Sequence, residues 1–452
     1  MPLASKTLRQ LGAELADGRT TSRALTEEAL DAATASSEAA TAFLAVHAAT
    51  ARATADAVDR LRTARVPLPP LAGIPISIKD LFDEAGEVTR AGSRVLDGAA
   101  PASRDSLVVQ RLRAAGAVIV GRTNMTEFAY SGLGLNPHYG TPRNPWDRAT
   151  GRIPGGSSSG AAVSVTDGMA AAAIGSDTGG SVRIPSALCG LTGFKPTANR
   201  ISTEGVLPLS STLDSIGPLA RSVDCCALLD AVLSGGAACA PAPASLAGRS
   251  LAVPKTVALD GLDATVAAAF ELACRKVSAA GARLVPMDLP EFAELVHINR
   301  LGGFLAAEAW AWHASLLQAR EAEYDPRVAV RIRRGEKMLA SDYLDLLAQR
   351  PRWIAGVQQR LAHANCDTVL MPTVPVVAPP IAALLASDDL YGSTNLLMLR
   401  NPTFINFLDG CALSLPCHRA GDAPVGLMLA APRGHDQQVL ALGFAVEQAL
   451  SR

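Results

Sequence analysis

The chain reads as an α/β protein, with a large mixed β-sheet core flanked by helices. Three observations lead there. A helical stretch at 106–115, a glycine at Gly116 and a short β-branched strand at 118–120 follow one another. The same order recurs at 262–281 and 284–286. The 452 residues are 49% hydrophobic and 18% charged, which suits a globular enzyme with a large core. That length exceeds the usual size of a single core. No linker divides it, however, so residues 1–452 read as one domain with a mostly helical region at 290–362.

From the N-terminal side, residues 22–63 read as helices. Thr21 or Ser22 can cap the first, with Glu27 and Glu28 soon after its start. Val58 and Leu61 are three apart, as one helix face requires. Residues 66–70 form a proline-rich connection. Then Ile74, Ile76 and Ile78 alternate with Pro75, Ser77 and Lys79, a period of two. That predicts a strand with Ser77 and Lys79 on one face. Lys79 is one of only six lysines. It reads either as an edge lysine reaching water or as a functional amine.

Beyond the strand at 118–120 the chain enters a loop, 121–130, of the kind that carries function in α/β layering. Residues 241–248 read as a surface loop. The helical region at 290–362 holds Trp310, Trp312, Tyr324, Tyr343 and Trp353. These aromatics serve packing, or the region covers a substrate pocket. Residues 367–371 read as a strand, and the last helix starts near His435 and Asp436.

Net charge is −1 and there is no basic block, which argues against nucleic-acid binding and electrostatic membrane attachment. The first twenty residues lack a signal-peptide core, and no run approaches the ~18 apolar residues of a membrane span. Eight cysteines are sparse for a stapled secreted protein. With Cys225 and Cys226 adjacent and the rest scattered, they predict reduced, buried thiols and a cytoplasmic location. The seven histidines show no metal-binding spacing, so neither metal nor cofactor is expected.

The most informative stretch is 151–197. Two Gly/Ser clusters, Gly155–Gly160 and Asp177–Ser181, flank a compact apolar segment at 161–174. Gly/Ser clusters are often flexible linkers. Here the apolar segment between them argues for a place inside a core. A serine at such a turn can attack a carbonyl while neighbouring N–H groups receive the oxyanion. The nucleophile needs a base, and no histidine lies in the motifs. A lysine can serve if burial holds it neutral. Lys79, next to Ile76, Ile78, Leu81 and Phe82, is the candidate, and serine–lysine variants of the triad are known.

These strings resemble the amidase signature family. The matching blocks are Gly155–Gly160, Gly175–Arg183 and Cys189–Thr197, with Lys79 in a G-I-P-x-x-x-K-D string and a T-N-M-x-E-F-A string at 123–129. Ser157 and Ser181 are 24 positions apart, the family's spacing. Ser159 and Ala161 depart from the pattern, both by small residues. The resemblance covers residues 20–450 and implies the family's α/β fold and an amidohydrolase. It implies Ser181 as the acyl-enzyme nucleophile. Ser157, preceded by a cis peptide bond, would pass the proton to Lys79. The N–H groups of Thr178, Gly179, Gly180 and Ser181 would form the oxyanion hole, and Ala129, Tyr130 and Ser131 would line the acyl side. Tyr130 reads equally well as a core aromatic. Asp177 and Arg183 read as shaping the loop rather than as catalytic groups, with Ser158, Ser159 and Lys195 as further support. The substrate would be a small-molecule amide, anilide, carbamate or ester, and the protein a monomer or homodimer. Two rivals remain. One is the glutaminase-type subunit of an amidotransferase, working with partner subunits. Such chains usually carry a tyrosine pair where residues 341–344 have Tyr343 alone. The other is a degenerate binding protein, although such members lose one of the three residues retained here.

Overall fold

Among the described residues eleven strands make one sheet: β1 (Phe43–Val46), β2 (Pro75–Lys79), β3 (Val118–Thr123), β4 (Ala172–Asp177), β5 (Thr192–Lys195), β6 (Ser215–Ala220), β7 (Ser250–Pro254), β8 (Arg283–Met287), β9 (Thr368–Pro372), β10 (Cys411–Pro416) and β11 (Gly426–Ala431). Their order is β1-β3-β2-β4-β6-β5-β10-β11-β9-β7-β8. β2 runs parallel to β3 and β4, and β7 runs parallel to β8 and β9. The remaining pairs are antiparallel, so the sheet is mixed as expected. The computed structural model describes residues 3–236 and 241–451. Cys239, one of the eight thiols, lies outside them.

Period-two alternation in β2 does not separate a wet face from a dry one, because every residue of that strand is buried. Ser77 and Lys79 share a face, and it is covered by the helix Ser159–Thr166. Ser77 Oγ lies 2.9 Å from Ser164 Oγ on that helix. The apolar segment at 161–174 therefore supplies most of a largely buried helix, a turn and the first half of β4. The helix has no polar face because all of it but Thr166 is buried.

β3 is longer than its β-branched core suggests. Gly121, Arg122 and Thr123 continue the strand rather than open a loop. Arg122 is buried, with its Nε donating to Asp80 Oδ1 at 2.8 Å. Within 22–63 the helices are Ser22–Thr34, Ser37–Ala42 and Ala48–Thr63, with β1 between the last two. Thr21, not Ser22, is the cap, accepting from the Ala24 N–H at 3.0 Å.

The region 290–362 is helical, as Pro290–Ile298, Gly303–Arg320, Pro326–Ile332 and Ala340–His363. Three of its rings, those of Phe292, Phe304 and Trp353, pack on a long helix, Asp388–Phe407. The Phe292 and Phe404 rings stack at 3.9 Å, and Trp353 meets Phe407 edge-on at 5.2 Å. Residues 241–248 are exposed but for Ala244, Leu246 and Pro241. The last helix is Asp436–Ser451.

Candidate active site

The site forms where β2 and β4 end side by side. These strands are parallel, with Ile78 opposite Ile174, so Lys79 and Ser176 emerge together. Lys79 Nζ donates to Ser157 Oγ at 2.8 Å and to Ser176 Oγ at 2.9 Å. Lys79 and Ser157 are fully buried. Burial pushes the Lys79 amine down to about 7, against the opposing pull of Asp177 and Asp214. A lysine there loses its charge near neutrality, and a neutral amine has a lone pair to accept a proton.

Ser157 follows a cis Gly156–Ser157 peptide bond and leads into the helix Ser159–Thr166. A Cβ at Gly156 would run into the Gly134 N and lie 2.9 Å from the Ser131 carbonyl, so only glycine fits. The Gly156 N–H donates to the Gly132 carbonyl at 2.8 Å. This seats the expected acyl-side residues against the serine cluster. Ser158 Oγ reaches the Ser176 carbonyl and Ser159 Oγ reaches the Asn124 carbonyl, in the supporting parts expected of them.

Ser181 is 3% exposed, and its hydroxyl has no hydrogen-bond partner among the described residues. It ends a loop shaped by Asp177. That carboxylate accepts from the Gly180 N–H at 2.9 Å and the Val182 N–H at 3.1 Å. It also pairs with Arg183, Nη2 to Oδ1 at 2.8 Å, and accepts from Asn406 Nδ2 at 3.0 Å. Burial works to raise the Asp177 carboxyl, but Arg183, Lys195 and Asn406 together hold it well below the usual carboxylate range. Asp177 and Arg183 thus shape the loop. Lys195 is buried beneath, bonded to the Pro196 and Gly410 carbonyls.

The N–H groups of Thr178, Gly179 and Ser181 have no protein partner among the described residues. Gly180 departs from the expectation. Its N–H already serves the Asp177 carboxylate. Thr178 is tied down from the other side, its Oγ1 donating to Asp214 Oδ1 at 2.5 Å. Burial raises the Asp214 carboxyl to about 6 even though Thr178, Leu209 and Ser210 donate to it.

Ala129 and Tyr130 lie in the turn before Ser131, whose Oγ donates to Asn395 Oδ1 at 2.8 Å. The Gly132 N–H donates to the same oxygen at 2.9 Å. Ser176, Asp214 and Asn395 were not singled out in the sequence. Ser176 had a signal: it sits within the Gly175–Arg183 block, one residue before Asp177 on β4. A separate cavity of about 710 Å³ lies between Leu135–Thr141 and the segments Asp325–Arg327 and Ile381–Asp388. Lys79, Ser157 and Ser181 are not among its lining residues. Among the described residues no cluster of His, Cys, Asp or Glu is arranged to hold a metal ion, and no helix is long and apolar enough to cross a membrane.

An amine that loses its charge near neutrality, held against a hydroxyl beside a loop of free N–H groups, is the equipment of a hydrolase that works through an activated oxygen nucleophile. The family model described as Amidase matches residues 24–440, and the chain belongs to that family. It is accordingly a hydrolase of carbon–nitrogen bonds other than peptide bonds. It is 38% identical to 2-amino-5-chloromuconic acid deaminase of Comamonas testosteroni over 88% of this chain and 86% of that relative. It is 34% identical to the A subunit of glutamyl-tRNA(Gln) amidotransferase from Salinispora arenicola, over 99% of this chain and 98% of that one. A crystal structure described as an amidase superposes with a TM-score of 0.87 at 32% identity, covering 98% of this chain and 99% of that one.

Proposed function

We propose that the protein cleaves small carboxamides, aryl amides or related carbamates and esters through an acyl-enzyme on Ser181, with Ser157 and Lys79 as the proton relay. The observation that carries this reading is the buried 2.8 Å contact between Lys79 and Ser157. With Nζ neutral, the same contact runs from hydroxyl to amine. Lys79 takes the Ser157 proton as Ser157 takes that of Ser181, and Ser181 Oγ attacks the carbonyl carbon. The oxyanion that forms is met by the N–H groups of Thr178, Gly179 and Ser181. Removing one such donor typically costs about 3 kcal/mol of transition-state stabilisation. As the intermediate collapses the C–N bond breaks, and the proton returns through Ser157 to the leaving amine. Water, deprotonated by the same route, then releases the acid and restores Ser181. No hydrogen bond joins Ser157 Oγ to Ser181 Oγ here, and such contacts tighten when substrate is bound.

In this reading Ala129, Tyr130 and Ser131 border the acyl group, the helical region 290–362 covers the pocket, and 1–452 works as one domain. Arg331 of that region donates to the Tyr130 carbonyl at 2.7 Å, which supports the cover. The protein acts as a monomer or homodimer in the cytoplasm. Free cysteines throughout the described residues, six of the seven buried, support a reducing compartment.

The test is Ser181→Ala against a panel of aryl amides, carbamates and esters. Unchanged turnover would reject the assignment. The second reading, a glutaminase-type chain that passes ammonia to partner subunits, draws on the amidotransferase relatives. Glutamine in the same panel, with a stably co-purifying partner, would favour it. Failure of a fluorophosphonate to label Ser181 in folded protein would favour a non-catalytic binding role.

A further inference from the structure

Residues 127–130 are fastened to the helical region by three different kinds of contact. Glu127 is fully buried. Its Oε1 accepts from Ser93 Oγ at 2.7 Å and lies 2.8 Å from His138 Nε2. Its Oε2 accepts the Asp325 N–H at 2.8 Å, at the start of the helix Pro326–Ile332. The Phe128 ring meets His313 edge-on at 4.3 Å and Tyr324 at 5.4 Å. The Tyr130 carbonyl takes the Arg331 guanidinium. Between these anchors the backbone is left-handed at two residues with side chains, Phe128 at φ 49° and Ala129 at φ 60°. That conformation costs on the order of 1 kcal/mol per residue and persists where the surroundings fix it.

Glu127 is the one anchor that joins three separate segments, those of Ser93, His138 and Asp325. The Asp325 contact also lies at the edge of the 710 Å³ cavity, which has the continuation of the acyl-side loop on one wall and Asp325–Arg327 on the other. We propose that Glu127 is a positioning residue: it locks the acyl-side loop to the helical region, so that the width of the acyl pocket is set by that region rather than by the loop alone. This rests on the reading that Ala129–Ser131 border the acyl group. Glu127 itself touches neither substrate nor the reacting serines.

The chemistry of the lock dictates the variants. A glutamine could keep the lock by turning its oxygen to the Asp325 N–H and its NH2 to Ser93 Oγ, so the informative variant is Glu127→Met, which removes both acceptors. The lock opens while side-chain volume is kept. For a bulky aryl amide we expect KM to rise about tenfold or more with kcat changed less than about threefold, because ground-state and transition-state binding are lost together. A small fluorophosphonate should label Ser181 at the wild-type rate, and amide hydrogens of residues 321–337 should exchange faster. Glu127→Asp, which keeps the acceptors, should recover part of the KM.

A second pair reaches the same bond from the other side. Asp325 has φ −59° and Tyr324 has φ −78°, ψ 155°, both compatible with proline at 325. Asp325→Pro removes the N–H that Glu127 accepts, whereas Asp325→Ala loses only the helix cap. The proline variant should behave as Glu127→Met does and the alanine variant should not. Should Glu127→Met fail to fold, this pair decides alone. Wild-type KM and wild-type exchange in a folded Glu127→Met or Asp325→Pro would overturn the proposal. So would a loss of kcat and Ser181 labelling alongside KM, since that marks general damage to the site. If Ser181→Ala keeps turnover, it is the catalytic reading that fails, and the exchange data on residues 321–337 still report on the lock.

Discussion

Lys79 Nζ donates to Ser157 Oγ at 2.8 Å in a space closed to water. The amine is useful as a base only when neutral, and burial brings it down to about 7. Activity is therefore expected to rise with pH through about 7 and to level off above it, the protonated amine being the inactive form. The kcat/KM profile on an aryl amide reads this directly. A rate independent of pH between about 5.5 and 9, with chemistry limiting, would remove Lys79 as the base.

The same burial has a consequence for stability. An ordinary lysine titrates at 10.5, so between about 7 and 10.5 the unfolded chain binds a proton that the folded chain lacks. Stability contributed by this site should rise with pH across that window. At pH 7 the buried amine is a liability of a few kcal/mol. Lys79→Met should abolish turnover while raising Tm by a few degrees at pH 7, an effect that shrinks as pH approaches 10. A calorimetric scan at both pH values checks it, and a lower Tm at pH 7 would count against the account.

Asp177 is the opposite case. Its carboxyl is held down chiefly by Arg183 against the pull of burial. A carboxyl with a lowered folded pKa stabilises the fold above the ordinary 3.8, and that contribution is lost as pH falls below it. Asp177→Asn would leave the buried Arg183 without its counter-charge, a loss of about 3–5 kcal/mol. Denaturant unfolding should show it. The double variant Asp177→Asn, Arg183→Met should recover part of the loss, because the uncompensated charge is then gone.

How much of this was legible in the sequence follows from what each residue has to do. Lys79 stood out because a charged residue ends an isoleucine alternation, and Ser157 and Ser181 because glycine crowds around them. Arg122 misled: a polar residue after Val120 reads as loop, yet Asp80 neutralises it inside the sheet. β1 was hidden because four residues among alanines give no period, and what makes Phe43–Val46 a strand is pairing with β3. The helix Asp388–Phe407 was hidden more deeply. Gly392 and Pro402 punctuate it, and its last turns are buried on every side, so no single apolar stripe marks it. Yet it carries Asn395 and Asn406, the residues that hold the Ser131–Gly132 turn and the Asp177 loop.

Asn395 offers a test of that helix. One side-chain oxygen accepts both the Ser131 hydroxyl and the Gly132 N–H. Gly132 in turn receives the Gly156 N–H at its carbonyl, one residue from Ser157. Asn395→Ala leaves the Gly132 N–H buried and unpaired, at a cost of about 1–3 kcal/mol. Because that group belongs to the loop rather than to the core, the loop should relax to pair it. The cost would then appear as a fall of about tenfold to a hundredfold in kcat/KM, with little change in Tm. Ser131→Ala removes only the hydroxyl from the same oxygen and should cost less. Since both act on one acceptor, the double variant should be little worse than Asn395→Ala. Effects that simply add would mean the two residues reach the substrate independently, and Asn395 would then have no part in placing the loop.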